Sequence, residues 1–587
     1  MNIYIVLDFM NYSNIIENNE FPLLKPFNYH EFFKKQIVFF YFNLSKKTDT
    51  KNVLELSNKL SDVLKILKKL IRINDSNNKY IPYLVLFYRM IGQTRDIYIG
   101  KGEHDISYMF LMVFYDVFPT LAIYAMYRFV QITDDFEIPF GSWRDIKYLC
   151  EYIRTNSPQK ENHGLIWSCI GLMNLQLKRD IEIIDGFDSS SQKSISNVSK
   201  WIPREHKRFH WLYNILVIDW SKMHLNWLYN DNIHSKSMLK AKMLYRRKIS
   251  ALNNALDTTE IKQCSQNWDF INPEKVPCYT LMKQRCLLFG NSEKYSGCSN
   301  KIREHLNKKQ KNIQNIVSSK FSKNGNHRNI ISYPVGFFVK EAMRILNNSD
   351  MVSQKDLLNK QWQMFSKTIR SNGFDNVLPI IDSSYYMQLN DYESFYTAIG
   401  FAILIAERST FGKRILMVDY QSTWVNFDSS FEFIDIVENI QNCIVSKTNT
   451  LFDIGSAMEL IVYSLLQSKS NNRYIKNMKL VFLSCFHGID SMQPFVNMFS
   501  KYELSLPIFM FWNLSKQEII PSFYEMDSVY IISGMSNGGI NVLCDSLMYI
   551  KNNIENGYSG FDHVSFILNN KRYDILEKYC YNFFDSS

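Results

Sequence analysis

Two rhythms of hydrophobic and polar positions divide this chain. From about residue 50 to 285, apolar side chains recur at helical spacing. The stretch VLELSNKLSDVLKILKKLIRI sets Leu54, Leu56, Leu60, Leu64 and Leu67 on one helix face, with lysines and an aspartate opposite. Further helical stretches follow at about 81–92, 106–130, 143–154, 163–178, 208–228 and 236–256. Successive helix pairs of this kind are stable only when stacked, which predicts an α-solenoid of HEAT-like repeats. After about residue 373 the rhythm changes. VLPIID, RILMVDY, KLVFLSC, LPIFMFW and SVYIISG are short β-branched or aromatic runs, and helical patterns separate them. That alternation predicts a doubly wound parallel sheet.

The expected architecture is therefore multidomain, α + α/β. Residues 1–50 form an extension without an assigned role, 51–370 a helical repeat domain, and 371–587 the α/β domain. Two polar breaks interrupt the helical part: a Ser-rich loop, GFDSSSQKSISN, within 183–200, and a basic insertion over 290–333.

Composition narrows the class. With 46% hydrophobic and 21% charged residues the chain folds rather than staying disordered. A net charge of +10 permits contact with an anionic polymer without requiring it. The ten cysteines include no C-x-x-C, and the apolar start MNIYIVLDFMNY lacks a basic signal-peptide region. Both point to free thiols in a reducing, intracellular and cytoplasmic setting, a host cytoplasm or a virus particle included. The stretch YMFLMVFYDVFPTLAIYAMYRFV (108–130) carries Asp116, Pro119 and Arg128, so it reads as two buried helices broken at the proline and not as a membrane span.

Several phrases are specific enough to carry a resemblance: TRDIYIGKGEHD (94–105), FGSWRDIKYL (140–149), SKWIPREHKRF (199–209) and YRRKISALNNALDTTEIKQCSQNWDFINPEKVP (245–277). They resemble the conserved blocks of the TROVE-type helical module. YTAIGFAILIAERSTFGKRIL (396–416), FMFWNLS (509–515) and ISGMS (532–536) extend the likeness into the α/β part. Together they look most like a family of unknown function from large DNA viruses, fungi and plants that joins such a module to a von Willebrand factor A domain. In the Ro autoantigen, a distant relative, a ring of helical repeats binds structured or misfolded RNA.

An A domain holds a divalent cation with D-x-S-x-S, a threonine and a later aspartate. Here Asp382 and Ser384 match the first two positions, Tyr386 stands in place of the next serine, Thr450 fits the threonine, and Cys485 replaces the later aspartate. A thiol suits Mg²⁺ poorly, so the resemblance implies a degenerate site holding at most a weakly bound Mg²⁺ and no other cofactor. In the other reading, Asp382 and Ser384 cap the helix that follows.

The remaining motifs concern charge. GKG at 100–102 lacks the spacing and the hydroxyl of a phosphate loop and reads as a tight turn. Arg95 and Asp96 are expected to pair across that turn, and Lys101 to touch a phosphate. His206 and His210 have a zinc-compatible spacing, but Lys207 and Arg208 crowd them with positive charge. Lys200, Arg204, Lys207 and Arg208, among Trp201, Phe209, Trp211 and Tyr213, form one basic group. Lys240, Lys242, Arg246, Arg247 and Lys248 form a second. Cations interleaved with rings suit structured or single-stranded RNA, with phosphates on the cations and bases on the rings. They equally suit a solvated helix face over a tryptophan-containing core. Lys308, Lys309, Lys311, Lys320 and Arg328 add an electrostatic arm.

No catalytic constellation emerges. The expectation is a non-enzymatic RNA-binding or ribonucleoprotein scaffold. The alternative is a viral structural or protein-interaction component, contacting other proteins through the A domain.

Overall fold

The computed structural model describes residues 28–45, 50–73, 79–132, 138–186, 195–224, 235–271, 276, 334–347, 354–389, 392–418, 422–428, 430–444, 453–485, 493–514, 529–552 and 559–585. Thr450 and the insertion lysines and arginine from Lys308 to Arg328 lie outside them.

The helical part begins with α1 (Tyr29–Asn43), α2 (Thr50–Ile73) and α3 (Ile81–Arg95). It continues through α4 (Asp105–Val117), α5 (Pro119–Tyr127), α6 (Trp143–Asn156) and α7 (Gly164–Ile184), then α8 (Val198–Trp201), α9 (His210–His224), α10 (Ser235–Leu256) and α11 (Thr259–Cys264). In α2, Leu56, Leu60, Val63, Leu64 and Leu67 are buried, so the predicted stripe faces the core, while Leu54 is exposed. Pro119 opens α5, where its missing N–H costs nothing. Among the described residues no helix is long and apolar enough to cross a membrane. Neighbouring helices pack in chain order, α6 on α7, α7 on α9 and α9 on α10.

Helices α12 (Val335–Leu346) and α13 (Lys355–Thr368) precede the sheet. The α/β part then runs β1 (Val377–Asp382), α14 (Tyr385–Gln388), α15 (Glu393–Ala406), β2 (Arg414–Val418), β3 (Thr423–Asn426), α16 (Phe433–Asn442), α17 (Ile454–Gln467), α18 (Asn472–Lys476) and β4 (Lys479–Ser484). It closes with α19 (Gln493–Lys501), β5 (Ile508–Asn513), β6 (Val529–Ser533), α20 (Gly538–Asn552), α21 (Gly560–Leu568) and α22 (Asp574–Asp585). The sheet has six strands in the order β3-β2-β1-β4-β5-β6. All pairs are parallel except β2 with β3, where Ile415 faces Val425. Strand β3 was not among the five expected runs: it is an edge strand of four residues, TWVN, too short to show a periodic pattern. The fold is thus α + α/β with a mixed, mostly parallel sheet.

Packing departs from the expected domain limits in two places. The segment 335–368, placed within the 51–370 repeat domain, packs instead on α15 and α16 of the α/β part. Helix α12 crosses α15 so closely that a Cβ at Gly400 would lie 2.6 Å from Val335 Cγ2, and one at Gly336 would lie 2.6 Å from Thr397 Oγ1. On α13, Trp362 stacks on Phe433 at 4.0 Å and donates its indole N–H to Glu407. The second departure is α1, which lies in the extension that had no assigned role. It packs against β6, α21 and α3. One hydrophobic core runs from Phe33 to Cys580 through both parts.

Candidate functional site

The TRDIYIGKGEHD segment follows the end of α3 and folds back on it. Lys101 N–H donates to Gln93 O and Glu103 N–H to Thr94 O. Gly102 adopts φ +65°, and a Cβ at Gly100 would strike Gln93 O, so the turn demands both glycines. The segment lies against the carboxyl end of the sheet: Ser536 Oγ donates to Gly100 O, and Asn541 Nδ2 to Tyr98 O.

Lys101 does not reach solvent. It is buried, its ammonium donates to the carbonyls of Tyr41 and Leu44 at the end of α1, and it sits 4.5 Å from the Tyr41 ring centroid. Those carbonyls are ones that a helix end leaves without partners. The phosphate contact expected of Lys101 is therefore excluded, because its protons are committed inside the fold. Next to them, Phe42 O accepts from Asn513 Nδ2 and Ser533 Oγ, at the ends of β5 and β6.

Arg95 and Asp96 do not pair with each other. Arg95 forms a bidentate pair with Asp145 at 2.9 and 2.7 Å, while Asp96 takes a bidentate pair from Arg572 at 2.5 and 2.9 Å. Asp145 also meets His104 Nδ1 at 2.8 Å, accepts from Tyr108 OH at 2.6 Å and closes a capping box with Ser142. Burial alone would raise the Asp145 pKa. Arg95 and His104 outweigh it and hold the carboxyl well below the usual carboxylate range.

Asp382 ends β1 beside β4, where the strand order reverses, the position at which α/β sheets place ligands. Its Oδ1 accepts from Ser384 N–H at 2.9 Å and its Oδ2 from Ser484 O–H at 2.5 Å. Burial raises its pKa, and the hydrogen bonds from Ser384 and Ser484 offset this only in part. Ser384 occupies the N-cap of α14 without a side-chain capping bond, so the capping expected of Ser384 is not formed, and Asp382 accepts only from the Ser384 N–H ahead of the helix. Cys485 is buried next to Ser484. Among the described residues no group of three or more His, Cys, Asp or Glu side chains is placed to hold a metal ion. Among the described residues the crevice offers one carboxyl, both its oxygens engaged by donors, beside a thiol, and that set does not fit Mg²⁺.

The two basic groups do come together. Ser199 Oγ bonds Asn253, and Glu205 takes both Lys242 at 3.1 Å and Arg246 at 3.2 Å. Lys200 pairs with Glu260 at 2.7 Å, Lys248 with Asp185 at 2.9 Å, and Arg208 lies 3.8 Å from Glu151. Arg204, Lys207 and Arg247 are exposed. Helix α6 adds two cations that sequence reading missed, Arg144 over Tyr148 and Lys147 over Phe209 at 4.5 Å. Lys147 has its pKa lowered, first by burial and then by Arg204, so these like charges lie close together. Their only sequence signal is the FGSWRDIKYL phrase itself. Three of the four rings expected to stack bases are buried, Phe209 at 7% exposed, Trp211 at 6% and Tyr213 at 1%, and Trp201 is half-buried. They serve as floor for the cations, with Trp211 donating to Glu151.

No protein-family model matches the chain. It is 22% identical over 465 residues to an uncharacterized protein of Acanthamoeba polyphaga mimivirus, a match that covers 76% of this chain and 74% of that protein.

Proposed function

We propose that this protein is a non-enzymatic RNA-binding scaffold of a ribonucleoprotein. In this reading a stacked-helix array of TROVE type presents a basic face, and an A-type sheet with a degenerate cation site serves as a structural or docking module. The strand order with its antiparallel edge strand supports the A-type reading, and the chain-order stacking of α6, α7, α9 and α10 supports the helical array.

One observation carries the RNA reading. Lys147 lies over Phe209, Arg144 over the Tyr148 ring that packs on Phe209, Arg204 lies close to Lys147, and Lys207 is exposed in the same segment; no carboxylate among the described residues lies within ion-pair distance of any of the four. Like charges held together repel, and a polyanion relieves that repulsion. With Phe209, Trp211 and Tyr213 buried and Trp201 half-buried, contact runs mainly through phosphates, which favours structured RNA over single strands.

The test is fluorescence anisotropy of a labelled RNA hairpin with the full chain at rising salt. Reversing Arg144, Lys147, Arg204 and Lys207 to glutamate should weaken binding at least about tenfold and flatten the salt dependence by about three to four phosphate contacts. Unchanged affinity would remove this surface from the reading.

The alternative, a protein-interaction component, draws on Tyr385 and Tyr392, which are 44% and 45% exposed beside the Asp382 crevice. Tyrosine-rich rims suit protein partners. Retention of a protein partner by the charge-reversed variant, with no RNA bound by the parent, would favour it.

A further inference from the structure

At the amino end of the sheet, remote in the fold from the Asp382 crevice, lies a cavity of about 420 Å³ between the β2–β3 edge and α17. Its floor is apolar: Leu378 from the start of β1, with Ile461 and Leu465 from the buried face of α17. Its walls are aromatic, formed by Phe411, Trp424 and Tyr474. Arg414, the first residue of β2, stands between them with its guanidinium 5.5 Å from the Phe411 ring centroid and 5.9 Å from that of Trp424.

Arg414 is exposed at the mouth of the cavity and differs from the arginines that clamp the fold. Arg89, Arg95 and Arg572 each meet a carboxylate. Among the described residues no carboxylate lies within ion-pair reach of Arg414, and its guanidinium lies near two rings. The rim is hydroxylic. Ser464 Oγ donates inward to Leu460 O, and Ser468 and Ser470 bond each other, so each oxygen keeps a lone pair for a donor on a ligand.

We propose that this cavity binds a nucleotide, with the phosphate on Arg414, the flat base on the aromatic walls and apolar floor, and sugar hydroxyls on the serine rim. A planar guanidinium without an acid partner matches a phosphate in two parallel hydrogen bonds. Aromatic walls accept the π-face of any base. The volume falls in the range of small-molecule sites, about 300–1,000 Å³. An aliphatic acid would fill the floor but leave the hydroxyl rim without partners. The same chemistry is offered by a free nucleoside monophosphate and by the phosphorylated end of an RNA.

The experiment is calorimetric titration of the full chain, with tryptophan fluorescence as a second readout, using the four nucleoside monophosphates, adenosine and inorganic phosphate. At least one monophosphate should bind. Adenosine should bind at least about tenfold more weakly, since a charged hydrogen-bonded pair is lost. Inorganic phosphate alone should show no binding. Arg414→Gln should lose binding about tenfold or more without moving the thermal midpoint, and Trp424→Leu should abolish the fluorescence change. A 5′-phosphorylated oligonucleotide that competes where its 5′-hydroxyl twin does not assigns the site to an RNA end; failure of both to compete assigns it to a free nucleotide. If no monophosphate binds at about 1 mM, or if Arg414→Gln binds as the parent does, the proposal is overturned. The quadruple glutamate variant of the basic face should bind mononucleotide normally, so a failure of the RNA reading leaves this result interpretable.

Discussion

At the scale of single residues, the buried charges set the testable chemistry. Asp145→Asn leaves Arg95 buried without its partner and should cost about 3–5 kcal/mol in chemical denaturation. His563 is fully buried, accepts from Ile531 N–H on Nδ1 and meets Ser546 Oγ with Nε2, so it is the neutral tautomer, and burial pushes its pKa down to about 3. Between about pH 3 and its ordinary value near 6.5, the unfolded chain binds a proton that the folded chain refuses. Stability from this group is therefore complete above about pH 6.5 and declines below it by up to about 1.4 kcal/mol per pH unit. Asp145, whose folded pKa is depressed, adds a second loss below about pH 4. Melting curves from pH 7 to 4 should show the first slope, and His563→Asn should remove its share. Asp382 behaves in the opposite sense. Its folded pKa is raised, so the burial of its charge weighs against folding as pH rises. Asp382→Asn should leave the thermal midpoint unchanged or higher near neutral pH, and Mg²⁺ should not shift the parent. A Mg²⁺-dependent rise in the parent that the variant lacks would restore a cation to the crevice.

At the scale of elements, α6 joins two roles through alternating faces. Asp145, Ile146, Leu149 and Ile153 point into the core, whereas Arg144, Lys147 and Tyr148 face the segment carrying Arg204 to Phe209. Two acids moderate this surface: Glu151 holds Arg154 and approaches Arg208, and Glu205 holds Lys242 and Arg246. Removing a clamp should act in the direction opposite to removing a cation. Glu205→Gln should tighten RNA binding about threefold to tenfold at low salt, with the gain fading as salt rises. An affinity equal to or below the parent's in the same anisotropy assay would place Lys242 and Arg246 outside the contact.

At the scale of the whole molecule, the helical and α/β parts are clamped. Arg572 from the C-terminal region pairs with Asp96 and donates to Ile138 O and Pro139 O. Arg89 meets Asp574 and Glu577, and Tyr124 stacks on Tyr579 at 3.6 Å. Helix α1 plugs the ends of β5 and β6, with Lys101 holding its carbonyls. Unfolding should therefore be a single cooperative transition in calorimetry, with no separate melting of the α/β part. A fragment starting at residue 371 would lack α12 and α13, which cover α15 and α16, and α1 from the end of the sheet, and should not fold to a monodisperse species. Arg572→Met should lower stability by about 3 kcal/mol, since Asp96 then keeps its charge in the core with no cation and only the Tyr98 N–H and Tyr573 hydroxyl as donors.

The amino-acid sequence determined those features that depend on local periodicity. Helical spacing marked α2, α4, α6 and α7, and continuous apolar runs marked β1, β2, β4, β5 and β6, because burial of a helix stripe or of both strand faces leaves its period in the chain. It also marked the glycine turn at 100–102, which is a property of single positions. Tertiary structure alone decided partners. Arg95 and Asp96 are neighbours that bond to residues 50 and 476 positions away, Lys101 is buried by a helix almost sixty residues earlier, and 335–368 carries a helical period that says nothing of which surface it will cover. The rings of the basic face look the same in sequence whether stacked on by bases or buried under cations; only the packing of α6 against the 204–209 segment put them inside. Periodicity is written along the chain, whereas pairing of charges depends on which distant elements fold into contact.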